Sequence, residues 1–192
     1  MEAFLVSTGV VALAEIGDKT QLLAFILATR FRRPIPIISG ILIATLINHG
    51  LAGALGTWIT AAIGPDVLRW ALGVSFVGMA IWTLIPDKIE EEEAMLGHRL
   101  GVFGATLLTF FLAEMGDKTQ IATIALAAHY NAPLVVVAGT TLGMMMADVP
   151  AVFLGNKFAD KIPLKLIHAI AAGIFLLMAA LTFLQLDRIL AS

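Results

Sequence analysis

Two copies of one charged octapeptide stand out in an otherwise apolar sequence. Residues 14–21 read AEIGDKTQ and residues 113–120 read AEMGDKTQ. On a continuous helix, the spacing of the Glu, Asp and Lys in each copy places all three charges on one face. Carboxylate, hydroxyl and amide oxygens are the hard ligands that Mn2+, Ca2+ and Mg2+ prefer. The residue types in both copies therefore predict a binding site for a divalent cation.

The candidate residues fall into four groups by their chemistry. The predicted metal ligands are the acids of both copies: Glu15, Asp18, Glu114 and Asp117. We expect secondary ligands or proton-carrying groups of two kinds. The octapeptides supply hydroxyls and amides: Thr20, Gln21, Thr119 and Gln120. Two other apolar parts of the chain supply three polar residues: Asn48, His49 and Asp148. Helix packing is an equal alternative for His49. We expect the lysines to tune the charge of the site and the glycines, pointing away from the charged face, to serve helix packing: Lys19, Lys118, Gly17 and Gly116.

The composition indicates what surrounds these charges. Hydrophobic residues make up 59% of the 192 residues, charged residues only 14%, and the mean hydropathy is +0.95. Such values lie outside the range of soluble domains. We therefore predict an integral, multi-pass membrane protein whose partner is the lipid bilayer and not a nucleic acid. Cysteine is absent, which excludes disulfides and thiolate metal sites; a homo-oligomer is compatible with the sequence.

Six apolar stretches, each long enough to cross a bilayer core about 30 Å thick, predict an all-α membrane protein with six transmembrane helices. They cover residues 3–28, 35–60, 67–86, 100–128, 133–155 and 163–186. An offset of 99 residues aligns the two octapeptides, and also Pro34 with Pro133 and Gly40 with Gly139. We therefore predict a first three-helix repeat over residues 1–86, an acidic cytoplasmic linker over 87–99, and a second three-helix repeat over 100–192.

The number of crossings and the basic residues predict the topology. Three crossings per repeat invert the second copy relative to the first, an architecture common among secondary transporters. Basic residues favour the cytoplasmic side of a membrane. Eight of those at the ends of the stretches share one side and two lie on the other: Arg30, Arg32, Arg33, Lys88, Arg99, Lys157, Lys161 and Lys165, against Arg69 and Arg188. Both termini are then outside the cytoplasm. No cleavable signal sequence is recognisable, so we expect the first stretch to remain a span.

Both octapeptides are expected at the middle of the membrane. Glu15 lies about 11 residues into its span, which is roughly 17 Å at 1.5 Å per residue, and Glu114 has a similar place in span four. Inverted symmetry would bring the four carboxylates together, where they cannot all stay ionised without positive charge nearby. The two lysines leave two negative charges, which one divalent cation or two protons neutralise equally. This mutual exclusion is the physical basis of cation/proton exchange.

Three other interpretations use the same residues. The acids and lysines could serve only to hold helices together, although ionisable residues inside a membrane are usually functional. A passive divalent-cation channel would use the same ligands without a counter-ion. An intramembrane hydrolase would also bury acids, but the sequence has no duplicated Ser/His/Asp set or His cluster. We therefore expect a protein that is not an enzyme and has no catalytic residues and no cofactor, the metal ion being its transported substrate.

The doubled motif Glu-x-Gly-Asp-Lys-Thr resembles that of the Golgi manganese and calcium/proton antiporters (the transmembrane protein 165 group) and of the related bacterial manganese exporters. Residues 15–20 and 114–119 carry the motif, and the resemblance extends over essentially the whole chain. It implies secondary active export of Mn2+ or Ca2+ from the cytoplasm in exchange for H+ or Na+. The short acidic loop and the lack of a presequence resemble the bacterial members, which implies a location in the bacterial inner membrane.

Overall fold

The computed structural model describes residues 1–85, 100–154 and 164–184, and these residues form eight α-helices and no β-strand. In chain order the helices are α1 (Glu2–Glu15), α2 (Lys19–Phe31), α3 (Pro34–Ala62), α4 (Pro65–Thr83), α5 (Gly101–Glu114), α6 (Lys118–Tyr130), α7 (Pro133–Leu154) and α8 (Leu164–Leu184). The prediction of an all-α fold is confirmed for these residues.

The two halves of the chain repeat the same order of helices. Helices α1–α4 begin at residues 2, 19, 34 and 65, and α5–α8 begin 99 residues later, at 101, 118, 133 and 164. The described residues of each half form four helices and not three, because the first predicted span of each half is broken, at residues 16–18 and 115–117. The predicted linker over 87–99 lies outside the described residues.

Several helices are predominantly apolar. By length and composition, α3 and the segment Pro133–Phe153 of α7 could each cross a membrane, while Gly101–Glu114 and His168–Leu184 are apolar but shorter. Large apolar side chains also lie on the outside of the protein, among them Trp58. A helix that is hydrophobic all round is typical of a buried core or a membrane span. The described chain is thus of helical membrane type.

The two halves pack through equivalent contacts. Helix α3 lies against α5, and its counterpart α7 lies against α1. A Cβ on Gly40 would lie 2.8 Å from Cβ of Thr106, and a Cβ on Gly139 would lie 3.0 Å from Cβ of Ser7. Thr106 and Ser7 are themselves 99 residues apart. Because small residues let membrane helices approach closely, these two aligned glycines position the halves against each other.

Two apolar clusters adjoin the octapeptides. The first contains Phe76, Phe175 and Ala14, which precedes Glu15. The second contains Phe110 and Ala113, and Ala113 stands in the same position in the second copy. Close packing of this kind leaves little room for water. The charged residues of each copy therefore lie next to a low-dielectric core, where an unpaired charge is costly.

Turn residues set the helix ends in both halves. Pro34, Pro65 and Pro133 stand at the start of α3, α4 and α7, where the missing N–H of proline breaks no helical hydrogen bond. Arg32 and Asn131, which follow α2 and α6, have φ angles of 53° and 48°. A residue in this left-handed conformation ends a helix and redirects the chain. The two positions are 99 residues apart, so both halves use the same turn.

Candidate functional site

The octapeptides do not form continuous helix. Helix α1 ends at Glu15 and α2 begins at Lys19, and the second copy breaks in the same way. At the breaks, Gly17 and Gly116 have φ angles of 83° and 78°, a region that costs a residue with a side chain roughly 1–2 kcal/mol. The predicted placement of Glu, Asp and Lys on one face of an unbroken helix is therefore wrong.

The breaks also correct the role expected of their glycines. A Cβ on Gly116 would meet no atom within 4 Å, so this glycine does not serve close helix packing. Its positive φ, shared by Gly17, lets the chain leave one helix and start the next. Asp18 and Asp117 then stand at the N-caps of α2 and α6 with extended backbones. Each break thus separates a Glu at the end of one helix from an Asp at the start of another.

Each lysine pairs with the aspartate of the other copy. Lys118 Nζ lies 2.7 Å from Asp18 Oδ1, and Lys19 Nζ lies 3.4 Å from Asp117 Oδ1. The first pair is buried, whereas 21% of the Lys19 side chain is exposed. Pairing spares these groups the large cost of an uncompensated buried charge. The structure thus brings the two octapeptides into direct contact and gives each lysine a carboxylate partner in the other copy.

The two glutamates, in contrast, have neutral hydrogen-bond donors. The Thr20 hydroxyl donates to Glu15 Oε1, and the Thr119 hydroxyl donates to Glu114 Oε2 at 2.7 Å. Both glutamates are fully buried, and their second oxygens, Glu15 Oε2 and Glu114 Oε1, have no hydrogen-bond partner among the described residues. A buried acceptor without a donor is energetically costly. These two oxygens are therefore atoms that a proton or a cation would stabilise.

The glutamines of the octapeptides brace the breaks. Gln21 Oε1 accepts the N–H of Gly17 at 2.9 Å, and its Nε2 donates to the carbonyl oxygen of Ala147 on α7 at 3.0 Å. Gln120 repeats the first contact in the second copy at 2.8 Å and donates to Asn48 Oδ1 on α3 at 3.3 Å. Amide oxygens predicted as cation ligands thus hold backbone N–H groups here. Each glutamine ties its own break to the other half.

Three further predicted residues lie on α3 and α7. Asn48 joins the hydrogen-bonded network, since its Nδ2 also donates to the carbonyl oxygen of Phe111 at 3.0 Å. Asp148 is fully buried, neither of its carboxylate oxygens has a hydrogen-bond partner in the described chain, and it interacts electrostatically with Glu114. His49 is also buried, with neither ring nitrogen hydrogen-bonded to a described residue. Of the three, Asn48 and Asp148 are therefore linked to the octapeptides.

The acids interact but do not form a ready set of metal ligands. Glu15 interacts electrostatically with Glu114, Asp18, Asp117 and Asp148. Within the described ranges, however, no three Asp, Glu or His side chains have an arrangement that could hold a metal ion. The ion pairs give a physical reason, because each ammonium group occupies an Asp oxygen. The acids and lysines of the two copies thus form a charge cluster, and the convergence of four carboxylates on one cation stays a prediction.

One polar contact at the first break is absent from the sequence predictions. His168 Nε2 on α8 lies 2.8 Å from the carbonyl oxygen of Ile16, a residue that follows the end of α1. Carbonyl groups at a helix end lack partners within the helix and need others. The only sequence signal for this contact is a histidine within the sixth apolar stretch, and it does not identify the partner.

Buried acids at two helix breaks, in a duplicated membrane-type fold, are the organisation expected of an ion transporter. The sequence profile of the family described as "Divalent cation/proton antiporter GDT1" matches residues 3–91 and 102–188. The chain therefore belongs to the GDT1 family. This family consists of transporters, in agreement with the expectation that the protein is not an enzyme.

Individual relatives support the same assignment. A Vibrio cholerae protein named "Putative manganese exporter" is 54% identical over 183 residues, which cover 95% of this chain and 90% of that protein. GDT1-like protein 3 of rice, Oryza sativa subsp. indica, is 30% identical over 201 residues, covering 91% of this chain and 71% of the rice protein. No solved structure matches the chain.

Proposed function

We propose that this protein exports a divalent cation from the cytoplasm in exchange for H+ or Na+, with carboxylates of both octapeptides as ligands: Glu15, Asp18, Glu114 and Asp117. The observation that carries the proposal is the contact between two equivalent helix breaks. Each break buries a glutamate oxygen without a hydrogen-bond partner in the described part of the chain, and an aspartate bound by a lysine of the other half. Mn2+ is the favoured cargo, on the name of the Vibrio cholerae relative, and Ca2+ is the second choice. The metal is substrate, so the protein requires no cofactor.

Six membrane crossings follow if each broken pair of helices crosses once. Residues 2–31 and 101–130 each include two helices and their break; about 30 helical residues span roughly 45 Å, more than a bilayer core of about 30 Å. Three crossings per half place the second half upside down relative to the first. The excess of basic residues on one side then puts both termini outside the cytoplasm of a bacterial inner membrane.

Charge balance supplies the exchange mechanism. Within the two octapeptides alone, and without Asp148, the four carboxylates and two ammonium groups leave two negative charges when all are ionised. One divalent cation neutralises them, and so do two protons on Glu15 Oε2 and Glu114 Oε1, which have no hydrogen-bond partner among the described residues. Because a carboxylate binds metal only in its deprotonated form, cation and protons exclude each other. A proton gradient can then drive the cation against its own gradient.

Reconstitution into proteoliposomes tests this exchange. With an acidic lumen and Mn2+ outside, vesicles should accumulate Mn2+ above the external concentration while protons leave. Glu15→Gln and Glu114→Gln keep the side-chain size but remove the charge, and each should abolish accumulation. Glu2→Gln, the same change at an exposed acid of α1, should transport like the wild type.

The same vesicles separate the alternatives. Mn2+ that only equilibrates, whatever gradient is imposed, would identify a passive channel and refute exchange. Accumulation driven by a Na+ gradient and not by a proton gradient would identify Na+ as the counter-ion. Parallel measurements with Ca2+ would rank the two cations as cargo.

A further inference from the structure

The two cross-repeat ion pairs are chemically equivalent but differ in geometry. The pair between Lys118 and Asp18 is short, at 2.7 Å, and both side chains are buried. The pair between Lys19 and Asp117 is longer, at 3.4 Å, and 21% of the lysine side chain is exposed. The two copies of the octapeptide therefore form one short, buried ion pair and one longer, partly exposed ion pair in the same conformation.

The surroundings of the two breaks differ in the same sense. At the first break, His168 of α8 covers the carbonyl oxygen of Ile16. At the second break, Met115 is 54% exposed and Gly116 is also exposed. The longer ion pair joins Asp117 of this more exposed break to Lys19 of the first copy. Lys19 is the one member of the two ion pairs with more than 3% of its side chain exposed, so its end of the longer pair is the more accessible one.

From these two asymmetries we infer that Lys19 is a tethered cation which holds Asp117 in the absence of cargo and which the incoming divalent cation displaces. This inference rests on the function proposed above and assigns a role within the same site. Ammonium and divalent ions are both hard cations that seek carboxylate oxygens, so they compete for Asp117. In this conformation Lys118 holds Asp18 in a buried ion pair and keeps cargo from it. In the opposite conformation of the transport cycle, the equivalence of the halves exchanges the two roles.

A tethered competitor has a clear consequence for affinity. Removing the Lys19 charge removes both its competition and its repulsion of the cargo, so binding becomes tighter. A lysine that served only as a brace between the halves would act in the opposite direction, because its loss would leave Asp117 misplaced and weaken binding. The sign of the change in cation affinity therefore separates the two roles.

Calorimetric titration of the detergent-solubilised full chain with Mn2+ alone, at one fixed alkaline pH, tests the inference. Lys19→Met should bind Mn2+ on the order of tenfold more tightly than the wild type, since a unit charge a few ångströms away contributes at least this much. Lys19→Arg keeps the charge and should bind no more tightly than the wild type. Lys165→Met, which removes an exposed lysine of α8, should leave the affinity unchanged.

A second measurement uses the wild-type protein and does not depend on the folding of a variant. Amine-reactive labelling followed by mass spectrometry of the Lys19 peptide should show faster modification with Mn2+ than without it, because displacement frees the amine. Slower modification with Mn2+, or affinity in Lys19→Met equal to or weaker than the wild type, would overturn the tethered-cation role while leaving exchange intact. A wild-type protein that binds neither Mn2+ nor Ca2+ would overturn the proposed function and this inference together.

Discussion

Replacing Gly116 by Ala would test whether the helix break itself is needed. At a φ of 78°, a side chain costs roughly 1–2 kcal/mol through contact with its own backbone. The added methyl group would meet no other atom within 4 Å, so no clash with a neighbouring helix adds to this cost. We therefore expect Gly116→Ala to lower the free energy of unfolding by about 1–2 kcal/mol, a factor of about 5–30 in the folded population.

Two further variants separate the effect of backbone conformation at residue 116 from the effect of side-chain size and from the effect of replacing any glycine by alanine. Asn is larger than Ala but tolerates the left-handed region better, so Gly116→Asn should retain more stability and more transport than Gly116→Ala. Gly78 on α4 also has no atom within 4 Å of its Cβ position and lacks a positive φ. Gly78→Ala should therefore match or exceed the wild type, because Ala is favoured over Gly within a helix by roughly 0.5–1 kcal/mol.

Thermal unfolding in detergent and Mn2+ uptake into proteoliposomes should rank the position-116 variants in the same order, with Gly first, Asn second and Ala last. Uptake is expected to fall because the break positions Glu114 and Asp117 on different helices. If Gly116→Ala equalled the wild type in both assays, or exceeded Gly116→Asn, the positive φ would have no role and the structural reasoning about the break would be refuted.

Two other changes give direct tests. Affinity for Mn2+ should fall as the pH is lowered from 9 to 5, by up to about a hundredfold per pH unit where two protons are displaced, since each proton contributes about tenfold. Calorimetry in buffers of different ionisation enthalpy counts those protons. A pH-independent affinity without proton release would favour Na+ as counter-ion. Arg32→Asn introduces the residue that the second half uses at the equivalent left-handed position, and should raise the free energy of unfolding by a few tenths to about 1 kcal/mol. A lower unfolding temperature for this variant would show that contacts of the Arg32 side chain outweigh the backbone gain.

Much of the fold can be predicted because it depends on properties that a segment carries by itself. Apolar length predicts helices, and the 99-residue offset predicts that the two halves have the same order of helices. The breaks are harder, since apolar composition is the same for a continuous helix and for two helices in line. The available signal is local: Gly17 and Gly116 each precede an Asp, and Gly followed by Asp combines a residue that tolerates positive φ with a good N-cap.

For the candidate site, the sequence likewise identifies the residues but not the partners they contact. Acids inside apolar stretches are identifiable because burial makes them costly. Their partners are not, because Lys19 adjoins Asp18 in the sequence and yet pairs with Asp117. Nothing in the local sequence of either octapeptide distinguishes a lysine that neutralises its neighbour from one that reaches across to the other half. That choice is made by the packing of α3 on α5 and of α7 on α1.

Dependence on the other half explains why the motif must occur twice. Asp18 is bound by a lysine of the second copy, and Gln21 is bound to the carbonyl oxygen of Ala147 on α7. One copy alone would leave its aspartate without the lysine that holds it and its glutamine without the acceptor on α7, a state that buried polar groups avoid. The halves must therefore assemble before either break is satisfied. A site built in this way responds to any relative movement of the halves, because the ion pairs that hold the carboxylates are the contacts such a movement would change.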